Sequence, residues 1–217
     1  MLREIGIALV EVSYPVQLVE ERLLQIAAAY TTARVEVAVL PTMLFIQVGG
    51  THEMEGSAQP SSQLDMAARV DEIAGLARAG AISPRDAVDA VHAARNQPPR
   101  FGSVPTILGY SLTSAGFGMV IEPTWKALLA HLFLGLVVGL IVAINRPFPN
   151  LTPILPTVSA VVVTLLATWF VADVADDGLL RIISPALIAM LPGMALVIGS
   201  IELAGGRIVS GASRTVY

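Results

Sequence analysis

Hydrophobic and polar positions change their pattern abruptly near Val104. Beyond it lie four long apolar stretches, residues 104–121, 127–144, 151–171 and 182–201. Each holds about 18–21 residues, so at roughly 1.5 Å of rise per residue each helix would reach about 27–32 Å, enough to cross a bilayer core. Ahead of Val104 the periods are those of a soluble domain. Val16, Val19, Leu23, Ile26 and Ala27 recur at helical spacing and predict a helix over residues 15–30, with Ser13 as its cap and Glu20, Glu21 and Arg22 on its solvated face. Val35, Val37 and Val39 alternate with Glu36 and Ala38 as in a half-buried strand, and residues 43–48 predict a second strand ended by Gly49-Gly50. Residues 51–63 are polar and contain Gly, Ser and Pro, which predicts a loop. Helices are predicted over 64–79 and 84–94, the latter capped by Ser83. The fold class is therefore a membrane α-helical region, residues 104–217, behind a small soluble α+β head, residues 1–103. Gln97-Pro98-Pro99 forms a stiff connection between them.

Composition narrows the function. A mean hydropathy of +0.71 with 14% charged residues fits a chain that lives in two solvents. The net charge is −4 and no basic run is interleaved with aromatics, so nucleic acid is not an expected partner. With no cysteine, disulfides, thiol catalysis and thiolate metal sites are excluded. The first residues lack a small-residue cleavage site and predict no removed leader. His52-Glu53-Met54-Glu55-Gly56 has no second histidine four residues on, so it is not a metalloprotease helix. Gly109-Tyr110-Ser111-Leu112-Thr113 begins like a nucleophile elbow but lacks the final glycine and the preceding strand. An enzyme is not expected, and neither a metal nor a cofactor is implied.

Orientation follows from basic residues near the span ends. Arg85, Arg95 and Arg100 precede the first span, Arg146 lies in the second loop, and Arg207 and Arg214 follow the fourth. The first loop has Lys126 with Glu122, and the third has Asp173, Asp176 and Asp177 with no base. The expected topology is N-terminus in, C-terminus in.

Polar groups at membrane depth carry the candidate chemistry, since an unpaired one in hydrocarbon costs several kcal/mol. Ser111, Thr113 and Ser114 fall near the middle of the first span, and Thr157, Ser159, Thr164 and Thr168 run through the third. These hydroxyls either bond to carbonyls one turn back or line a polar cavity. Pro192-Gly193 sits at the centre of the fourth span and predicts a kink, or a break that exposes backbone to substrate. His131 lies inside the second span and titrates near neutral pH, and Glu202 falls at the inner end of the fourth. Depth and chemistry make Ser111, Ser114, Pro192 and Gly193 candidate substrate contacts, with His131 and Glu202 as candidate proton-coupling groups.

Glu20-Glu21-Arg22-Leu23-Leu24, Val35-Glu36-Val37, Pro41-Thr42 and Ala68-Arg69-Val70 occur in order along the head. Gly80-x-Ile82-Ser83-Pro84-Arg85-Asp86-Ala87 and Pro98-x-Arg100-Phe101 follow, then Leu191-Pro192-Gly193, Glu202, Gly205-Gly206 and Gly211-Ala212. This series resembles the threonine/serine exporter family over nearly the whole chain. The resemblance implies a multi-pass protein of a bacterial-type inner (plasma) membrane that exports small amino acids by proton-driven secondary transport with alternating access. Members usually carry aspartate where Glu202 stands. They have about ten spans in two unlike halves, so the resemblance also implies a fifth span after Tyr217, and a partner membrane protein or C-terminal half. Some relatives divide the halves between two proteins, one pair being associated with dicarboxylate export, so a subunit of a succinate-like dicarboxylate exporter is an alternative. A membrane-anchored ligand-binding or regulatory module is an alternative of another class. The expected partners are the lipid bilayer, the transported molecule and that second membrane component.

Overall fold

The computed structural model describes residues 1–56, 64–98, 100–145, 147–171 and 178–216. Arg146, Asp173, Asp176 and Asp177, used above for orientation, lie outside the described residues, as do residues 57–63 of the expected loop. In chain order the elements are α1 (Leu2–Glu11), α2 (Val16–Tyr30), β1 (Val35–Leu40), β2 (Met43–Val48), β3 (Thr51–Gly56), α3 (Leu64–Arg78) and α4 (Pro84–Arg95). Then come α5 (Ser103–Ile121), α6 (Trp125–Asn145), α7 (Leu155–Leu166), α8 (Leu179–Leu187), α9 (Gly193–Ala204) and α10 (Ile208–Val216). Contacts divide them into two units: Met1–Pro99 with Pro192–Tyr217, and Arg100–Leu191.

The first unit is built around α1, a helix the sequence reading did not anticipate. Ile5, Ala8, Leu9 and Val10 are buried, and the core continues through Val16, Val19, Leu23 and Ile26 of α2, Val70 of α3 and Val91 of α4. Burying each Leu, Ile or Val contributes roughly 1.5–3 kcal/mol. Glu11 breaks the apolar run of α1 yet is buried, because Arg95 Nε donates to it at 2.8 Å. Arg95 also bonds Glu4 at 2.8 Å. Burial alone would raise the Glu4 pKa, but the bonds from Arg3 and Arg95 outweigh it and hold the carboxyl below its usual range. Between α2 and α3 Arg22 pairs with Asp71 and lies 4.8 Å from the Tyr14 ring centroid, while Tyr14 Oη donates to Asp71 at 2.7 Å. The bonds from Arg22 and then Tyr14 hold Asp71 below the usual carboxylate range.

Three expectations for the head need correction. The sheet has three antiparallel strands in the order β1-β2-β3, with Val37 opposite Ile46 and Ile46 opposite Glu53, so the start of the expected loop is a strand. A strand paired along one edge forms through backbone bonds and does not require apolar side chains. Ser13 is not a cap: it sits at φ 62°, in the left-handed turn that ends α1, and α2 starts after Pro15 with no side-chain cap of its own. Of Glu20, Glu21 and Arg22, only Glu21 is exposed.

Among the described residues three helices are long and apolar enough to cross a membrane, all in the second unit: Ser103–Ile121, Trp125–Asn145 and Leu151–Phe170. The third opens as a 3-10 turn, Pro149–Ile154, continues as α7, and widens into a π turn at Ala167–Val171. The fourth apolar stretch is not one helix. It begins within α8, which is followed by a 3-10 turn at Ile188–Met190, and helix resumes only at Gly193, so it makes a fourth span only if both pieces are counted together. Leu134, Val138, Val163 and Ile182 form the interior of this unit. Leu112, Val120, Leu129, Trp169 and Leu180 are each more than 60% exposed. Apolar side chains on that scale belong against lipid, and the chain is a multi-pass membrane protein.

Candidate functional site

Within the second unit α5 and α6 run antiparallel and touch along a seam of small residues. A Cβ on Gly135 would stand 2.5 Å from that of Ser114 and 2.8 Å from the Tyr110 carbonyl oxygen, so the backbones meet because neither helix carries bulk there. Ser111 is 6% exposed and its hydroxyl donates to the Leu132 carbonyl at 2.8 Å, crossing the seam rather than reaching one turn back. Ser114 is 1% exposed and its hydroxyl has no hydrogen-bond partner. His131 is fully buried, and its ring lies against Gly118, where a Cβ would come within 2.1 Å of Cδ2. A backbone group of Ile182 faces the imidazole, but neither ring nitrogen completes a hydrogen bond. Ser114 precedes Gly118 by one turn and His131 precedes Gly135 by one turn, so both unpartnered groups occupy one short section of the seam. Ser159 of α7 is a third: it is fully buried and its hydroxyl lacks a partner. Thr168, by contrast, bonds back to the Thr164 carbonyl at 2.7 Å.

The other candidates belong to the first unit. The backbone leaves the helical region at Leu191 (φ −69°, ψ 135°), and Pro192 precedes α9 with both it and Gly193 exposed. Glu202 is fully buried near the end of α9. Its Oε1 accepts the Val16 N–H at 3.0 Å and lies 3.2 Å from Arg214 Nε, while Oε2 has no partner. Arg214 also donates to the Tyr14 carbonyl at 3.1 Å. Beside this pair Arg207 of the α9–α10 turn bonds Glu20, whose other oxygen accepts the Val39 N–H at 3.1 Å. Glu202 thus supplies the N-terminal cap that α2 lacks, a carboxylate at the positive end of a helix.

Ser111, Ser114 and His131 therefore come together on one seam, whereas Pro192, Gly193 and Glu202 lie in the other unit. Ser159 was noted from sequence only as one of four hydroxyls in the third span, and Tyr110 was not a candidate contact. The only available signal was a hydroxyl within an apolar run, which most such residues satisfy with their own helix. Among the described residues no three His, Cys, Asp or Glu side chains gather to hold a metal.

Residues 1–217, the whole chain, match the family model described as "Putative threonine/serine exporter". No curated protein and no solved structure matches the chain.

Proposed function

We propose a function from the family to which this chain belongs, the threonine/serine exporters: it carries threonine and serine out of a bacterial-type cell across the inner (plasma) membrane, as a secondary transporter coupled to protons. The observation that supports the coupling is the seam between α5 and α6. An imidazole and a hydroxyl buried without partners cost several kcal/mol, and such groups are retained where a proton or a ligand supplies the missing bond. His131 is the proton carrier in this reading, because imidazole is the side chain that exchanges a proton near neutral pH. Ser111 and Ser114 are proposed substrate contacts within the second unit, and the exposed backbone at Pro192-Gly193 is a proposed contact within the first. Glu202 is the alternative proton-linked group. Its Oε2 is free of bonds, but its other oxygen is committed to Val16.

The test is counterflow of labelled threonine, serine and succinate in proteoliposomes. The chain alone is compared with the chain plus the membrane protein encoded next to it, which also reads whether a partner is required. Threonine or serine flux that follows an imposed pH gradient, and loses that dependence in His131→Phe, is the expected result. Flux of succinate alone would favour the dicarboxylate reading. A membrane-anchored binding module has one observation in its favour, a cavity of about 580 Å³ in the head floored by Ile46, Val48 and Val88 and rimmed by Arg3, Glu4 and His92. Ligand binding by the full chain with no flux of any label would support that reading instead.

A further inference from the structure

We infer that the amino acid is held in a groove on α5, on the face marked by Thr106, Tyr110 and Thr113, against the carbonyl end of the helix that stops before Pro192. The inference rests on the exporter reading and deepens it by naming substrate contacts. The groove encloses about 450 Å³ and is lined by Phe101, Thr106, Gly109, Tyr110, Thr113 and Ala189 among others, all within the second unit. Ligand pockets fall in roughly this range of volume, about 300–1,000 Å³, with mostly apolar walls and a few polar groups that fix orientation.

The lining follows from helical spacing. Positions 106, 109, 110 and 113 recur at intervals of three and four and share one face of α5. Three of them carry hydroxyls, and the fourth is Gly109, where an added Cβ would meet nothing within 4 Å. The groove is open because that side chain is missing. The Thr106 hydroxyl donates to the Gly102 carbonyl at 2.9 Å, and its methyl forms wall. Tyr110 and Thr113 supply hydroxyl donors.

Across the groove, Ala189 belongs to the 3-10 turn Ile188–Met190. The N–H that would close the next bond of that turn, onto the Ala189 carbonyl, belongs to residue 192, a proline with none to give. The end of the α8 helix is therefore a set of carbonyls with partial negative charge. Hydroxyl donors on one wall suit a carboxylate, and helix-end carbonyls on the other suit an ammonium. A methyl-and-hydroxyl side chain matches the mixed apolar and hydroxyl surface between them. No charged side chain occurs among the described lining residues. A neutral zwitterion can bind between dipoles in this way, whereas a dicarboxylate would need a base that the lining does not offer.

The experiment is equilibrium binding of labelled L-threonine and succinate to the full chain, reconstituted as for counterflow, in four variants. Gly109→Leu fills the groove from a position with room for a side chain, and Thr113→Val removes one hydroxyl at constant shape. Thr113→Ser keeps the hydroxyl, and Leu108→Phe adds bulk at an exposed position on a different face of α5. Loss of one hydrogen bond to a charged group predicts about tenfold weaker threonine binding in Thr113→Val, with at least as large a loss in Gly109→Leu. Thr113→Ser and Leu108→Phe should bind as the wild type does. Wild-type binding unchanged in Gly109→Leu and Thr113→Val would overturn the groove and leave the exporter reading intact. An equal loss in Leu108→Phe would also overturn it, since the effect would then belong to α5 as a whole. If the wild type binds succinate and not threonine, the exporter reading fails and the groove assignment falls with it.

Discussion

Gly118 has no side chain because the imidazole of His131 occupies the place of one. A methyl group there would lie 2.1 Å from the ring, closer than any packed carbon tolerates, and the ring is enclosed on all sides. Gly118→Ala therefore forces the seam apart and should destabilise the protein by about 1–3 kcal/mol, the usual cost of overpacking. Gly116→Ala, two positions earlier and facing open space, should be neutral. Thermal unfolding of the detergent-solubilised chain would compare the two, and equal melting temperatures would remove the packing argument. His131 was legible in the sequence as a titratable group inside an apolar run. The role of Gly118 was not, because the meaning of a glycine depends on which helix it faces. Ser111 shows the same limit. Its place in the span was readable, but its bond to the Leu132 carbonyl depends on the register between two helices.

At the scale of elements, the joint between α2 and α9–α10 is the clearest case of order that no local pattern announces. Capping signals near residue 15 point to Ser13, yet the group that accepts the Val16 N–H is the Glu202 carboxylate, 186 residues later. Arg214 is 10% exposed and is the charge that balances Glu202. Removing it in Arg214→Ala leaves a buried carboxylate unpaired, at an expected cost of about 3–5 kcal/mol. Adding Glu202→Leu to that variant should recover most of the loss, since the apolar pair no longer buries a charge. A double variant less stable than Arg214→Ala would show that the cap on α2 outweighs the pair. Helices α2, α3 and α4 and the first two strands were legible because their apolar periods coincide with the buried faces. β3 was not, because its polar sequence gives no period to read. The head also carries an acid dependence of definite sign. Asp71 and Glu4 have pKa values below those of unfolded carboxyls, so the folded head binds fewer protons. Their contribution is fully present above about pH 4, the unfolded value, and is lost as the pH falls toward the folded one. By circular dichroism, Asp71→Asn should melt below the wild type at pH 5, and the gap should narrow at pH 3. A gap independent of pH would place the effect in packing.

For the whole molecule, three spans were readable as uninterrupted apolar runs, and the family match covers the chain from end to end. The fourth run was just as apolar. Its division into two helices turns on one residue without an N–H, Pro192, whose neighbours cannot complete the ladder. Orientation is a property of the whole chain set by where its few basic residues fall. Arg85, Arg95 and Arg100 gather before α5, while Lys126 beyond it is accompanied by Glu122. The positive-inside rule then predicts the head in the cytoplasm, the α5–α6 turn outside and the end of α6 back inside. Because the chain has no cysteine, single replacements can be read against no background. Ala81, Pro123 and Pro147 are all exposed and fall in these three segments. With a membrane-impermeant maleimide, Ala81→Cys and Pro147→Cys should react only in inside-out vesicles, and Pro123→Cys only in right-side-out ones. The mirror-image result would invert the topology while keeping α5 and α6 as spans. Labelling of Pro123→Cys and Pro147→Cys from the same face would mean that α6 does not cross. The buried His131 would then have no path between two compartments, and the proton-coupled reading would lose its carrier.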